Sequence, residues 1–131
     1  MKDFDNWNNL KKQIEIENVK VGYKNRDIFY IKMGQNIGFE QNGKGKDYIR
    51  PIIVIKGFNK DILLGVPLST KIKEGKYYFQ FEFDKNGTKM INIAILSQIR
   101  LFSTKRLLNK IGVIKENDFE NLKTKIKQMI D

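Results

Sequence analysis

Between Lys76 and Leu96 two β-rich runs, KYYFQFEFD (Lys76 to Asp84) and TKMINIAIL (Thr88 to Leu96), flank the tripeptide KNG. Asn-Gly between aromatic and β-branched runs suits a tight type I′ turn, so this stretch predicts an antiparallel hairpin. It commits the middle of the chain to sheet, and the neighbouring segments read the same way. DIFYIKM (Asp27 to Met33) is β-rich and ends at Gly34. IIVIK (Ile52 to Lys56) is a continuous apolar run, read as a central buried strand that starts after Pro51, where a missing N–H is tolerated. DILLGVPLS (Asp61 to Ser69) follows the turn-forming GFNK, and NKIGVIK reads as a short last strand.

Helical periodicity appears only at the two ends. Phe4, Trp7, Leu10 and Ile14 recur at helical spacing behind Asp3, a suitable N-cap, so residues 1–20 read as a helix. NDFENLKTKIKQMI carries a Phe119/Leu122/Ile126/Met129 stripe, with Asn117 as the expected N-cap and Glu120 three residues on. Five or six short antiparallel strands flanked by helices indicate a small, mainly β barrel with helical decoration. The 131 residues suit one core, and no composition break marks a second domain.

Charge and missing residue types narrow the chemistry. Lys and Arg outnumber Asp and Glu by 25 to 15, a net charge of +10, which points to a polyanionic partner or simply to lysine-rich solubility. The chain has no cysteine and no histidine. That excludes disulfides, a thiol nucleophile and imidazole acid–base catalysis, and leaves only carboxylates as metal ligands. No apolar run approaches the roughly 20 residues that span a bilayer, and the N-terminus is not signal-like; the expectation is a cytoplasmic protein.

Three stretches carry candidate chemistry. NIGFEQNGKGKDYIRP (Asn36 to Pro51) joins two apolar runs and combines Glu40, a Gly/Lys-rich centre and Arg50 before proline. A guanidinium at the edge of a rigid strand can meet a phosphate with two parallel hydrogen bonds and stabilise added negative charge. The plainer alternative is an arginine paired with Glu40 or Asp47. VPLSTK (Val66 to Lys71) ends a strand with two hydroxyls; Ser69 or Thr70 could bind a phosphate oxygen beside Arg50, or simply satisfy turn backbone groups. LSQIR (Leu96 to Arg100) offers Gln98 and Arg100 to a groove, to an interface or to solvent. Lys123, Lys125 and Lys127 read as the wet face of the last helix.

Taken in order, RDIFYIKMGQNIGFEQ leading to RPIIVI, then VPLSTK, then AILSQIRLFSTKRLLNKIG resemble the MazF/PemK-type toxin endoribonucleases of type II toxin–antitoxin systems. The resemblance runs from about Arg26 to Ile126. It implies an SH3-like antiparallel barrel over residues 21–131, a fold shared with gyrase-directed toxins, with residues 1–20 as a helical extension. It also implies a symmetric homodimer, a single-stranded RNA substrate, an acidic antitoxin partner, and no cofactor, metal or membrane. The implied reaction is attack of the ribose 2′-OH on the adjacent phosphate, giving 2′,3′-cyclic phosphate and 5′-OH ends. The family's active-site arginine falls on Arg50, its Ser/Thr on Ser69 with Thr70 as neighbour, and the glutamate of its G-x-E-Q element on Glu40. Gln41, Lys44, Lys46, Thr70, Lys71 and Gln98 are then the expected substrate contacts, with the long Gly/Lys loop covering the RNA. A non-catalytic toxin on the same barrel, binding nucleic acid or inhibiting a protein target, is the alternative.

Overall fold

The computed structural model describes residues 22–34 and 48–131. The expected N-terminal helix over residues 1–20 lies outside them. The described residues form strands β1 (Asp27–Gly34), β2 (Tyr48–Gly57), β3 (Ile62–Ser69), β4 (Tyr78–Lys85), β5 (Thr88–Ile95), β6 (Arg100–Ser103) and β7 (Leu107–Val113), then helix α1 (Glu116–Ile130). The order across the sheet is β4-β5-β3-β2-β1-β7, with β6 paired to β3 and each pairing antiparallel. That is more than the five or six strands expected, because β6 is a four-residue strand, RLFS, with no alternation long enough to read.

The hairpin forms as its turn demands. Lys85 pairs with Thr88, and both intervening residues take positive φ, Asn86 at 50° and Gly87 at 88°. Strand β2 begins at Tyr48 rather than after Pro51, so the proline lies inside the strand, opposite Tyr30. The last β2–β3 pair is Ile52–Pro67; among the described residues Pro51 therefore sits where β2 has a partner on one flank only, and the lost N–H is tolerated.

Alternation along β1 to β3 feeds two cores, one on each face of the sheet. Ile28, Ile53, Val66 and Leu68 join Phe81, Phe83, Ala94 and Leu96 under the α1 residues Phe119, Leu122 and Ile126. Phe29, Ile31, Ile52, Val54 and Leu63 join Phe102 and Leu107 on the other face. Burial on both faces is why IIVIK carries no polar alternation.

The sheet curls without closing. Strands β4 and β7 end the path and share no ladder, yet the Phe83 ring lies over Gly112 so closely that a Cβ there would stand 2.5 Å from Phe83 Cδ2 and 3.2 Å from the Asp84 carbonyl oxygen. Lys85 Nζ donates to Tyr30 Oη at 2.7 Å and rides 5.1 Å above that ring. The Phe83–Gly112 packing thus joins β4 to β7 at this seam, and the Lys85–Tyr30 contact ties the end of β4 to β1.

The start of α1 differs from expectation. Its N-cap is Lys115, with no side-chain cap, and Asn117 falls inside the first turn. Glu116 and Asp118 favour the helix N-terminus through the dipole, and the approach is set from a distance. Arg26, at φ 85°, receives the Ile114 N–H on its carbonyl at 3.1 Å and donates Nε and Nη2 to the Ile114 carbonyl at 3.1 and 2.9 Å. At the β2–β3 turn, burial pushes the Tyr23 phenol upward; its hydroxyl donates to the Asn59 carbonyl at 2.7 Å. No described helix is long and apolar enough to cross a membrane.

Candidate functional site

The site is shaped by a gap in the sheet. On one flank of β3, β6 pairs with Ile62 to Gly65 and β5 pairs with Leu68 and Ser69. Among the described residues Val66 and Pro67 between them have no ladder partner on that flank. Pro67 has no N–H for a ladder, and the chain passing it folds into a short 3-10 helix, Leu96–Gln98, instead of a strand. Gln98 is thereby freed from the sheet at the end of β3.

Arg50 arrives from the other flank. It pairs with Ile31 of β1, and its flank toward β3 lies beyond the last ladder pair. Continuing that register by two residues puts Arg50 opposite Ser69, and opposite residues of an antiparallel pair share a face. The guanidinium reaches across: Nη2 donates to the Leu68 carbonyl and Nη1 to Gln98 Oε1, each at 3.2 Å. Both acceptors are neutral. Among the described residues no carboxylate pairs with Arg50, and the two neutral acceptors orient its charge without cancelling it. A planar fork held at two corners keeps its remaining N–H groups for an anion.

Ser69 ends β3 and its Oγ accepts from the Lys71 N–H at 3.1 Å. This is the plain turn-satisfying role, and it leaves the hydroxyl proton free to be donated elsewhere. Ile93, 1% exposed, pairs with Ser69 and separates it from Gln80, which gives the site an apolar flank. Thr70 and Lys71 follow on the exposed turn. Arg50, Ser69 and Gln98 are thus gathered at one corner, with Thr70 and Lys71 adjoining in the chain. Glu40, Gln41, Lys44, Lys46 and the alternative partner Asp47 lie outside the described residues.

Two participants escaped the sequence. The Leu68 carbonyl is backbone and carries no residue signal. Pro67 was in plain view, but its effect depends on which flank of β3 its nitrogen interrupts. Among the described residues no group of three or more carboxylates could hold a metal ion.

A small, curled antiparallel sheet with a helix on one face and, near a strand end, an arginine held by two neutral acceptors defines a recognisable class. The model for the PemK-like, MazF-like toxins of type II toxin–antitoxin systems matches residues 24–130, and the chain belongs to that family. Among solved structures it is similar to the Mycobacterium tuberculosis toxin MazF-mt6, with 14% identity and a TM-score of 0.60 over 81% of this chain and 97% of that one. It is also similar to a structure described as an endoribonuclease from mycobacterial species, with 8% identity and a TM-score of 0.60 over 85% and 94% of the two chains. These likenesses are ones of fold. None of the curated proteins compared with the chain matches it.

Proposed function

We propose that the chain is a sequence-specific endoribonuclease toxin that cleaves single-stranded RNA without metal or other cofactor. The observation that carries this is the Arg50 guanidinium, held by two neutral acceptors opposite a serine whose proton is free. Membership of a toxin family supports it, as does the endoribonuclease description of one structure of the same fold.

In this reading the ribose 2′-oxygen bonds to the adjacent phosphorus, the P–O5′ bond breaks, and the 2′ proton's loss is balanced by protonation of the departing O5′. The products are a 2′,3′-cyclic phosphate and a 5′-OH. Arg50 stabilises the extra charge of the phosphorane, the kind of interaction that grows between ground state and transition state. The Ser69 hydroxyl donates to a phosphate oxygen, and Glu40 assists the 2′-OH or orients Arg50. Gln41, Lys44 and Lys46 cover the strand, while Thr70 and Lys71 meet its backbone. The working form is a cytoplasmic homodimer neutralised by an acidic antitoxin in the same basic groove. A hydrodynamic mass of one 15.4 kDa chain would contradict the dimer. Expressed alone, the chain should arrest bacterial growth and Arg50→Ala should relieve the arrest; equal arrest by both would remove Arg50 from the active site.

Gln98 provides a graded test of the cradle. Gln98→Leu removes one acceptor of a partly exposed charged hydrogen bond and should slow cleavage about fivefold, a loss on the order of 1 kcal/mol. Gln98→Glu keeps an acceptor but adds a carboxylate that cancels the guanidinium charge, so its single-turnover rate should fall further than that of the leucine variant. A Gln98→Glu protein as active as the wild type would show that the uncancelled charge is not what the site uses.

A further inference from the structure

Arg100 opens β6 opposite Gly65, and its guanidinium carbon lies 4.8 Å from the centroid of the Phe102 ring. Phe102 is 3% exposed and part of the core on that face, so the ring is a fixed platform. Gly65 makes the arrangement possible: a Cβ there would stand 2.9 Å from Ile52 Cδ1 and 3.2 Å from Phe102 Cδ2. A guanidinium held over an aromatic face is attracted through the ring's quadrupole and keeps its N–H donors for other partners. Among the described residues Arg100 has no carboxylate partner.

Face and spacing relate it to Arg50. Phe102, Ile52 and Leu63 share one core; Arg50 alternates with Ile52, Ser69 with Leu63, and Arg100 with Phe102. All three polar residues therefore belong to the same face of the sheet. Along β3, Gly65 and Ser69 are four residues apart, roughly 13 Å. Arg50 and Arg100 also stand on opposite flanks of β3, about 10 Å apart across the sheet, so the two positions are separated by roughly 16 Å. One phosphate cannot sit on both guanidinium groups. A ligand with successive phosphates can.

We infer that Arg100, lying over Phe102, is a second phosphate-binding position that holds the backbone of the RNA strand at a phosphate further along from the one engaged by Arg50. This rests on the RNA-cleaving reading above and adds to it a minimum substrate length and a contact blind to base identity, because phosphates carry no sequence information. Only a strand long enough to reach from Arg50 to Arg100 gains from it.

The test uses fully 2′-O-methylated oligonucleotides of mixed sequence, which cannot be cleaved, as a long strand and as a dinucleotide. Arg100→Ala should weaken the long strand about three- to tenfold and reduce the slope of log affinity against log salt by about 0.7, the share of one single-strand phosphate contact. Dinucleotide binding should not change. Phe102→Leu retains the charge without the platform and should weaken the long strand by a smaller factor with the slope kept. An unchanged salt slope in Arg100→Ala, or equal losses on the two ligands, would overturn the assignment, as would an Arg100 variant whose only defect is toward an acidic peptide. The RNA-cleaving reading fails separately: wild type that binds the methylated strand yet leaves the unmodified one intact would refute cleavage and leave the Arg100 contact standing.

Discussion

Arg50→Ala is expected to slow RNA cleavage by about 10²- to 10³-fold, the usual cost of removing one group aimed at transition-state charge, while the fold persists. The two effects separate because of where the side chain sits. Its hydrogen bonds go to Gln98 Oε1 and the Leu68 carbonyl at the open end of β3, where water can replace it, so the stability loss should stay below about 1 kcal/mol. Arg50→Lys should recover little. An ammonium is a point charge on a flexible stem and cannot engage both acceptors while presenting two parallel donors to a phosphate. Single-turnover rates beside thermal melts of the three proteins would check this. A lysine variant near wild-type rate would mean that charge alone, without the fork, suffices.

The second large effect belongs to the seam. Gly112→Ala would put a Cβ 2.5 Å from Phe83 Cδ2 and 3.2 Å from the Asp84 carbonyl oxygen; the ring is 5% exposed and has nowhere to go. Overpacking of this kind costs about 1–3 kcal/mol, a melting temperature lowered by roughly 4–15 °C. Gly22→Ala, with nothing within 4 Å of the added carbon, is the control and should melt with the wild type. The consequence reaches the site, because the β4–β5 hairpin that meets β7 at the seam continues into the 3-10 helix carrying Gln98. Cleavage by Gly112→Ala should therefore decline at temperatures below its melt. Melting of Gly112→Ala at the wild-type temperature would show that the seam yields freely and that Phe83 does not fix β7.

What was legible in the sequence follows from how local each cause is. Asn86-Gly87 determines its own turn, and the Phe119/Leu122/Ile126 stripe its own helix face, so both were read correctly. The N-cap of α1 was not, because Arg26, 88 residues away, holds the Ile114 carbonyl and sets where the helix begins. Strand β2 was read too short because Arg50 and Ile49 owe their extended backbone to partners on β1, Ile31 and Lys32. At the site, residue types marked Arg50 and Ser69 as strand-end candidates, but their opposition across β2 and β3 is a property of register. The pairing of Gln98 with Arg50 depends on a further step, the broken ladder beside Pro67. Arg-x-Phe at Arg100 and Phe102 would have suggested a stacked pair on one strand face had β6 been seen as a strand. Glu40 and the Gly/Lys-rich loop stood out by residue type, but the roles expected of them came from the resemblance, and they lie outside the described residues.

The most direct measurement is to incubate the purified chain with a long, structure-poor RNA in EDTA, beside Arg50→Ala, and to determine the chemistry and position of every new end. Discrete cuts at a recurring short sequence, with 5′-OH and 2′,3′-cyclic phosphate ends that vanish in the variant, are the expected result. Intact RNA in the presence of folded, antitoxin-free protein, or cuts that survive loss of Arg50, would contradict it.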